Sequence, residues 1–229
     1  LIPAAKMNKS NEIAIYDKDD ELITTFRYNV EDKYLKIDEI NEDFLICFLV
    51  SEDQEFYEHH GFSIKGIVRA LINNIKTNST QGGSTISQQL ARSLFLNNEK
   101  SIVRKIKEAF ITIQLETHYE KIEIIEQYLN NIYLGHNVYG IESASKYYFN
   151  KTNMELTLDE VAMIVGIASA PNINAPDINY DNAIKRRNIV LNSLYKADYI
   201  DNYTLNTLIN KKTTINITDN SLNNPITPI

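Results

Sequence analysis

The sequence has no tryptophan and a single cysteine in 229 residues. One thiol, Cys47 in an apolar run, excludes a disulfide framework and any zinc-ligand spacing. Basic side chains are in deficit, 23 against 30 acidic ones, for a net charge of -7. That balance argues against a nucleic-acid partner, yet it permits a local basic groove, because an anionic ligand responds to the local field. No apolar stretch reaches membrane-spanning length, and no signal-peptide pattern is present. What remains is ordinary globular composition, rich in Asn, Ile, Lys and Tyr, and enough chain for one sizeable core with a smaller lobe.

The chain opens with alternating Ile13 and Ile15, an acidic turn at Asp17 to Asp20 and a β-prone run from Leu22 to Phe26, which predicts a short hairpin. Residues from about Asn41 to Val50 predict a buried helix that runs into Ser51-Glu52-Asp53. A carboxylate at such a helix end can be desolvated and thereby suited to accept a proton. Ser63 is placed to cap a helix with Ile64, Ile67, Val68, Leu71, Ile72 and Ile75 on one stripe, and Thr77 to Gly83 reads as a loop. Ser84-Thr85 opens a further helix after Gly82-Gly83, an N-terminus of the kind that can hold an anion. After Ser101, Ile102, Ile106, Ala109, Phe110 and Ile113 are expected to face inward, while Arg104 and Glu108 share a face at ion-pair spacing. The next helix uses Ile122, Ile125, Leu129 and Ile132 and is expected to stop at Gly135. Thr157 and Glu160 form a capping box, Pro171 closes the helix it opens, Asp181 starts another, and Tyr203 to Lys211 suggests a last one.

Five sequence signatures stand in order along this framework. The first is Glu52-Asp53 with Phe56, His59 and Gly61; the second is Gly82-Gly83-Ser84-Thr85-Ile86-Ser87-Gln88-Gln89-Leu90. The third is Arg104-Lys105 with Glu108 and Leu115-Glu116, and the fourth joins Glu126, Tyr128-Leu129-Asn130, Gly135 and Gly140. The segments around Thr157 and Arg186-Arg187 make the fifth. Together they resemble the peptidoglycan glycosyltransferases, glycosyltransferase family 51, and in particular the N-terminal half of class A penicillin-binding proteins. Ser143-Ala144-Ser145-Lys146 also fits the Ser-x-x-Lys of penicillin-binding transpeptidases, but no Lys-Thr-Gly accompanies it and it reads as helix packing. His118 and His136 lack partners at ligand spacing.

The resemblance implies a mainly α fold, a lysozyme-like helical lobe with a small membrane-facing jaw around residues 62–75 and 94–96, besides the hairpin. It divides the chain into a linker and hairpin (1–36), a glycosyltransferase domain (37–195) and a helix and linker leading toward a transpeptidase domain (196–229). The implied reaction joins lipid II units through β-1,4 bonds with inversion and release of undecaprenyl diphosphate. A lysozyme-like peptidoglycan hydrolase and a non-catalytic lipid II-binding module are the alternatives. Such polymerisation needs a base on the attacking 4-hydroxyl and positive charge, or a metal, on the departing diphosphate. By resemblance Glu52 is that base, and Glu108 is the second essential glutamate, near the diphosphate or a divalent ion (Mg or Mn) that the sequence does not require. Substrate contacts implied in the same way are Asp53, Phe56, His59, Ser84, Thr85, Gln88, Gln89, Arg92, Lys100, Arg104, Lys105, Asn130 and Tyr133, with Asp53 and His59 bracing Glu52. The family commonly carries Lys where Arg92 stands, and some members carry Arg where Lys100 stands; the charge survives both changes. Expected partners are lipid II, the growing glycan strand, the membrane surface, other cell-wall synthesis proteins and the inhibitor moenomycin. The expected place is the outer face of the bacterial cytoplasmic membrane, held by an N-terminal helix outside this chain.

Overall fold

A computed structural model describes residues 4–5, 12–16, 22–27, 34–63, 83–96 and 101–218. The chain is mainly helical. Its backbone divides into two compact units, residues 1–37 with 52–132 and residues 38–51 with 133–229. These units interleave along the sequence.

In the first unit a small antiparallel sheet runs β1 (Ala4–Ala5), β2 (Glu12–Tyr16) and β3 (Leu22–Arg27) in sequence order. Among the described residues, three helices build its core. They are α2 (Ile86–Phe95), α3 (Ile102–His118) and α4 (Lys121–Asn131). Thr85 caps α2, accepting from Gln88 N–H while the Gln88 side chain returns to Thr85 N–H, and Ser101 caps α3 through Arg104 N–H. Ile86, Leu90, Leu115, Ile125 and Leu129 fill the interior with Phe56.

The second unit contains α1 (Glu42–Glu52) up to Ser51, then α5 (Ile141–Phe149), α6 (Leu158–Ala168), α7 (Pro171–Asn174), α8 (Tyr180–Lys196) and α9 (Asn202–Asn210). Helix α6 is buried almost throughout, from Val161 to Ile167, which fits its apolar sequence and its packing on α8. The capping box at Thr157 and Glu160 forms as its sequence indicates. Through Thr218 the tail belongs to this unit, and its backbone pairs with the end of α5, Asn216 N–H donating to Tyr148 O at 2.8 Å.

Two expectations are overturned. The apolar stripe of α3 faces out: Ile102 is 81% exposed and Phe110 54%, with Ile106 and Ile113 exposed as well, while the buried face carries Glu108, Ile111, Thr112 and Leu115. Periodicity establishes two faces but not which is covered, and here the covered face holds a charged group with its own partners. Helix α4 also ends at Asn131 rather than Gly135; Ile132 is already extended, and Gly135 serves a later turn at φ +92°. The stripe from Ile64 to Ile75, the loop from 77 to 82 and the turn at 17–20 lie outside the described residues. Ser63, expected to cap that stripe, donates its hydroxyl to Glu55 Oε2 at 3.0 Å.

Candidate active site

Glu52 is the last residue of α1, so its side chain leaves a helix end that the preceding apolar run anchors. Its Oε2 accepts from Gln89 Nε2 of α2 at 3.0 Å, and Gln89 Oε1 in turn accepts from the Tyr128 hydroxyl of α4 at 3.2 Å. Among the described residues, Oε1 of Glu52 accepts no hydrogen bond.

The next residue, Asp53, is buried and fastens this corner. It accepts from Ile86 N–H at the start of α2 at 2.9 Å, where the helix dipole favours a carboxylate, and from His59 Nε2 at 2.9 Å. Gly61 N–H donates to His59 Nδ1 at 3.1 Å, which fixes Nδ1 as acceptor and leaves Nε2 to carry the proton given to Asp53. Asp53 and His59 therefore brace the helix end that carries Glu52.

Gly61 is a true glycine position. Its φ is +86°, its carbonyl accepts from Thr85 Oγ1 at 2.7 Å, and a Cβ there would meet Thr112 Cγ2 at 2.7 Å and Glu116 Cγ at 3.2 Å. Gly61→Ala should lower the unfolding free energy by about 1–3 kcal/mol in a urea titration. An unchanged midpoint would show that α3 gives way at no cost.

Glu108 is fully buried on α3. Its Oε2 accepts from Arg104 Nη1 at 2.8 Å and its Oε1 from Lys105 Nζ, so the pair that reads as a surface bridge in sequence is a buried carboxylate between two cations. Lys105 Nζ also reaches Ser84 Oγ at 3.3 Å, and the Ser84 carbonyl is 3.5 Å from Gln89 Nε2. A polar chain thus runs from Glu52 through Gln89, Ser84 and Lys105 to Glu108. The Nε of Arg104 is buried and has no partner among the described residues, a donor held in reserve. Arg92, half-buried on α2, acts electrostatically on Tyr128 and so lies near the same corner.

Several residues read from sequence as substrate contacts have other work. Phe56 is fully buried, with Lys121 Nζ 4.5 Å from its ring centroid. Thr85 and Gln88 are buried in their capping box, and Thr85 also holds Gly61. Asn130 spends its amide on the backbone of Leu35, accepting from Leu35 N–H and donating to Leu35 O, each at 2.8 Å. A side-chain amide that mimics a peptide has no donor to spare for a sugar. Tyr133 belongs to the second unit, where its hydroxyl donates to Asn172 Oδ1 at 2.9 Å and its ring lies 5.1 Å from that of Tyr139. Lys100 lies outside the described residues.

Sequence reasoning missed Tyr128 and Glu116 as site residues. Glu116 accepts from Ser87 Oγ and from Lys121 Nζ, tying α2 to α3 beneath Gly61. Both residues sit inside quoted signatures, but a tyrosine on a buried stripe reads as core and a glutamate near a helix end reads as surface.

Among the described residues no group of three or more His, Cys, Asp or Glu side chains could hold a metal ion. Both oxygens of Glu108 already carry cations of the chain, a poor fit to a divalent ion.

A protein-family model described as Transglycosylase matches residues 19–195. The chain is 43% identical over 188 residues to penicillin-binding protein 1A of Escherichia coli (strain K12), covering 81% of this chain and 22% of that protein. It is 42% identical over 183 residues to penicillin-binding protein 1A of Aquifex aeolicus (strain VF5), covering 80% of this chain and 25% of that protein. A crystal structure of penicillin-binding protein 1A from Haemophilus influenzae aligns with 89% of this chain and 21% of that one, at a TM-score of 0.49 and 21% identity. The chain spans about a quarter or less of the length of these relatives.

Proposed function

Because this chain belongs to the transglycosylase family, we propose that it polymerises lipid II into β-1,4-linked glycan, with inversion and release of undecaprenyl diphosphate. The observation that carries the reading is the polar chain joining Glu52 to Glu108, with Arg104 and Lys105 both bonded to Glu108.

In this reading Glu52 takes the proton of the acceptor's 4-hydroxyl as that oxygen bonds to the donor's anomeric carbon. The bond from that carbon to the diphosphate oxygen breaks, and its electron pair leaves with the diphosphate. Arg104, Lys105 and Arg92 receive the departing charge, and the unpartnered Arg104 Nε is a ready donor for it. Glu108 holds Arg104 and Lys105 in place rather than reacting. A diphosphate leaves without protonation, whereas a hydrolase needs a second carboxylic acid to protonate its leaving group. Glu108 already has Arg104 on one oxygen and Lys105 on the other, so neither oxygen is free to meet a leaving group, and this favours transfer over hydrolysis.

The test is incubation with lipid II, with and without moenomycin, followed by product sizing. Polymer that moenomycin suppresses supports the reading. Fragments released from finished wall point to a hydrolase, and lipid II binding without turnover to a binding module.

We further read the helical arrangement as a lysozyme-like lobe with a membrane-facing jaw, working at the outer face of the cytoplasmic membrane as the glycosyltransferase part of a class A penicillin-binding protein. No helix among the described residues is long and apolar enough to cross a membrane. The exposed face of α3, Ile102, Val103, Ile106, Phe110 and Ile113, supports a lipid-facing surface instead. The chain should therefore sediment with lipid vesicles, and Phe110→Ser with Ile113→Ser should weaken that binding. Equal binding by wild type and variant would remove α3 from the jaw.

A further inference from the structure

We propose that Tyr128 is a positioning residue for Glu52, acting through the side-chain amide of Gln89; the proposal rests on Glu52 being the base. The Tyr128 ring is buried on α4, and its hydroxyl donates to Gln89 Oε1 at 3.2 Å, while Nε2 of the same amide donates to Glu52 Oε2 at 3.0 Å. A primary amide has an accepting end and a donating end, so whatever holds the oxygen decides which end the carboxylate meets. With the phenol O–H on Oε1, Gln89 must present N–H to Glu52. Turned over, it would set its carbonyl oxygen against an ionised carboxylate.

The phenol suits this task because it remains a donor. Burial first, then the negative charge of Glu52, push Tyr128 well above the ordinary phenol range; Arg92 pulls it down and Asp53 adds a further upward push. Glu52, Asp53 and Arg92 are the charged groups that act on it, and Tyr128 is the neutral donor among them. Fixing one oxygen of Glu52 leaves the other directed at the acceptor hydroxyl.

The test compares Tyr128→Phe, Gln89→Met and the double variant in this chain. Tyr128→Phe keeps the ring and should melt within a few degrees of wild type. Its kcat should fall up to about tenfold, the upper end of what one hydrogen bond between neutral groups is worth. The KM for lipid II should hold, and the acid limb of the pH–rate profile should move to higher pH. In the Gln89→Met background the same change should cost nothing further, since the relay is already cut. A separate arm needs no turnover: the Gln89 side-chain amide protons, assigned in NMR spectra by their loss in Gln89→Met, should shift upfield in Tyr128→Phe. Losses that add in the double variant, an acid limb that stays put, or unmoved amide protons would each overturn the proposal. A wild-type chain that makes no polymer would sink the reading of function, while the amide protons would still decide the relay.

Discussion

Glu52→Gln should abolish polymer formation while leaving the chain folded and able to bind moenomycin. Glutamine keeps the size of the side chain and an oxygen for Gln89 Nε2, so the local hydrogen bond survives. What it loses is the capacity to take up a proton. Removal of a general base costs about 10²–10⁴ in rate, or roughly 3–5 kcal/mol of barrier. The neighbouring carboxylate cannot substitute, because Asp53 is buried and committed to Ile86 N–H and His59. Thermal melting is the control, since Glu52 ends α1 and opens the corner that Asp53 fastens. Near-normal polymerisation by the variant would move the base to another carboxylate and require a different mechanism.

The helices and their caps were legible because local rules specify them. Thr157 with Glu160, and the start of α2 at the second signature, carry their structural reason within a few residues. It was the resemblance that singled out Glu52 and Glu108; periodicity alone would have left Glu108 in a surface ion pair. Long-range partnership stayed hidden. Ile102, Ile106, Phe110 and Ile113 make an orderly stripe, yet the opposite face of α3 is covered, because Glu108 with its two cations and Thr112 belong there. Asn130 stands in a signature and reads as a ligand, but Leu35, far away in sequence, takes its amide. Tyr128 reads as core until the rotamer of Gln89 is known. Each of these depends on which distant atoms arrive, and a single sequence does not say.

The fifth signature hides the clearest such case, and it yields a large expected effect on stability. Arg186-Arg187 carries no sign in the sequence that either arginine is covered, yet Arg187 is fully buried. Its Nε and Nη2 donate to Asn188 Oδ1, Nη2 to Ile209 O, and Nη1 to Lys211 O and Thr213 Oγ1, which places all five N–H donors. Thr213 Oγ1 passes the contact on to Asp159 Oδ2 at 2.7 Å, and Lys211 Nζ reaches Asp159 Oδ1 at 2.7 Å. The tail after α9 is thereby pinned to α6 and α8 through one guanidinium. Arg187→Ala strands the acceptors Ile209 O, Lys211 O and Thr213 Oγ1 and empties a buried guanidinium site, so it should cost about 3–5 kcal/mol in urea titrations, the usual result of breaking a buried charged cluster. Proteolysis should then cut first between residues 209 and 218. The Asp159 side of the cluster adds a pH signature. Burial pushes its carboxyl up, but hydrogen bonds from Lys211, Thr213 and Thr157 outweigh burial and hold it below the ordinary carboxylate range. A carboxyl held low in the folded chain contributes its stability in full above the unfolded value of about 3.9. That contribution fades as pH falls from there through the folded value. The stability gap between wild type and Asp159→Asn should therefore be steady near neutrality and narrow below about pH 4. A gap that does not change with acid, or an Arg187→Ala loss under about 1 kcal/mol, would mean the tail is held by its backbone pairing with α5 rather than by this charge.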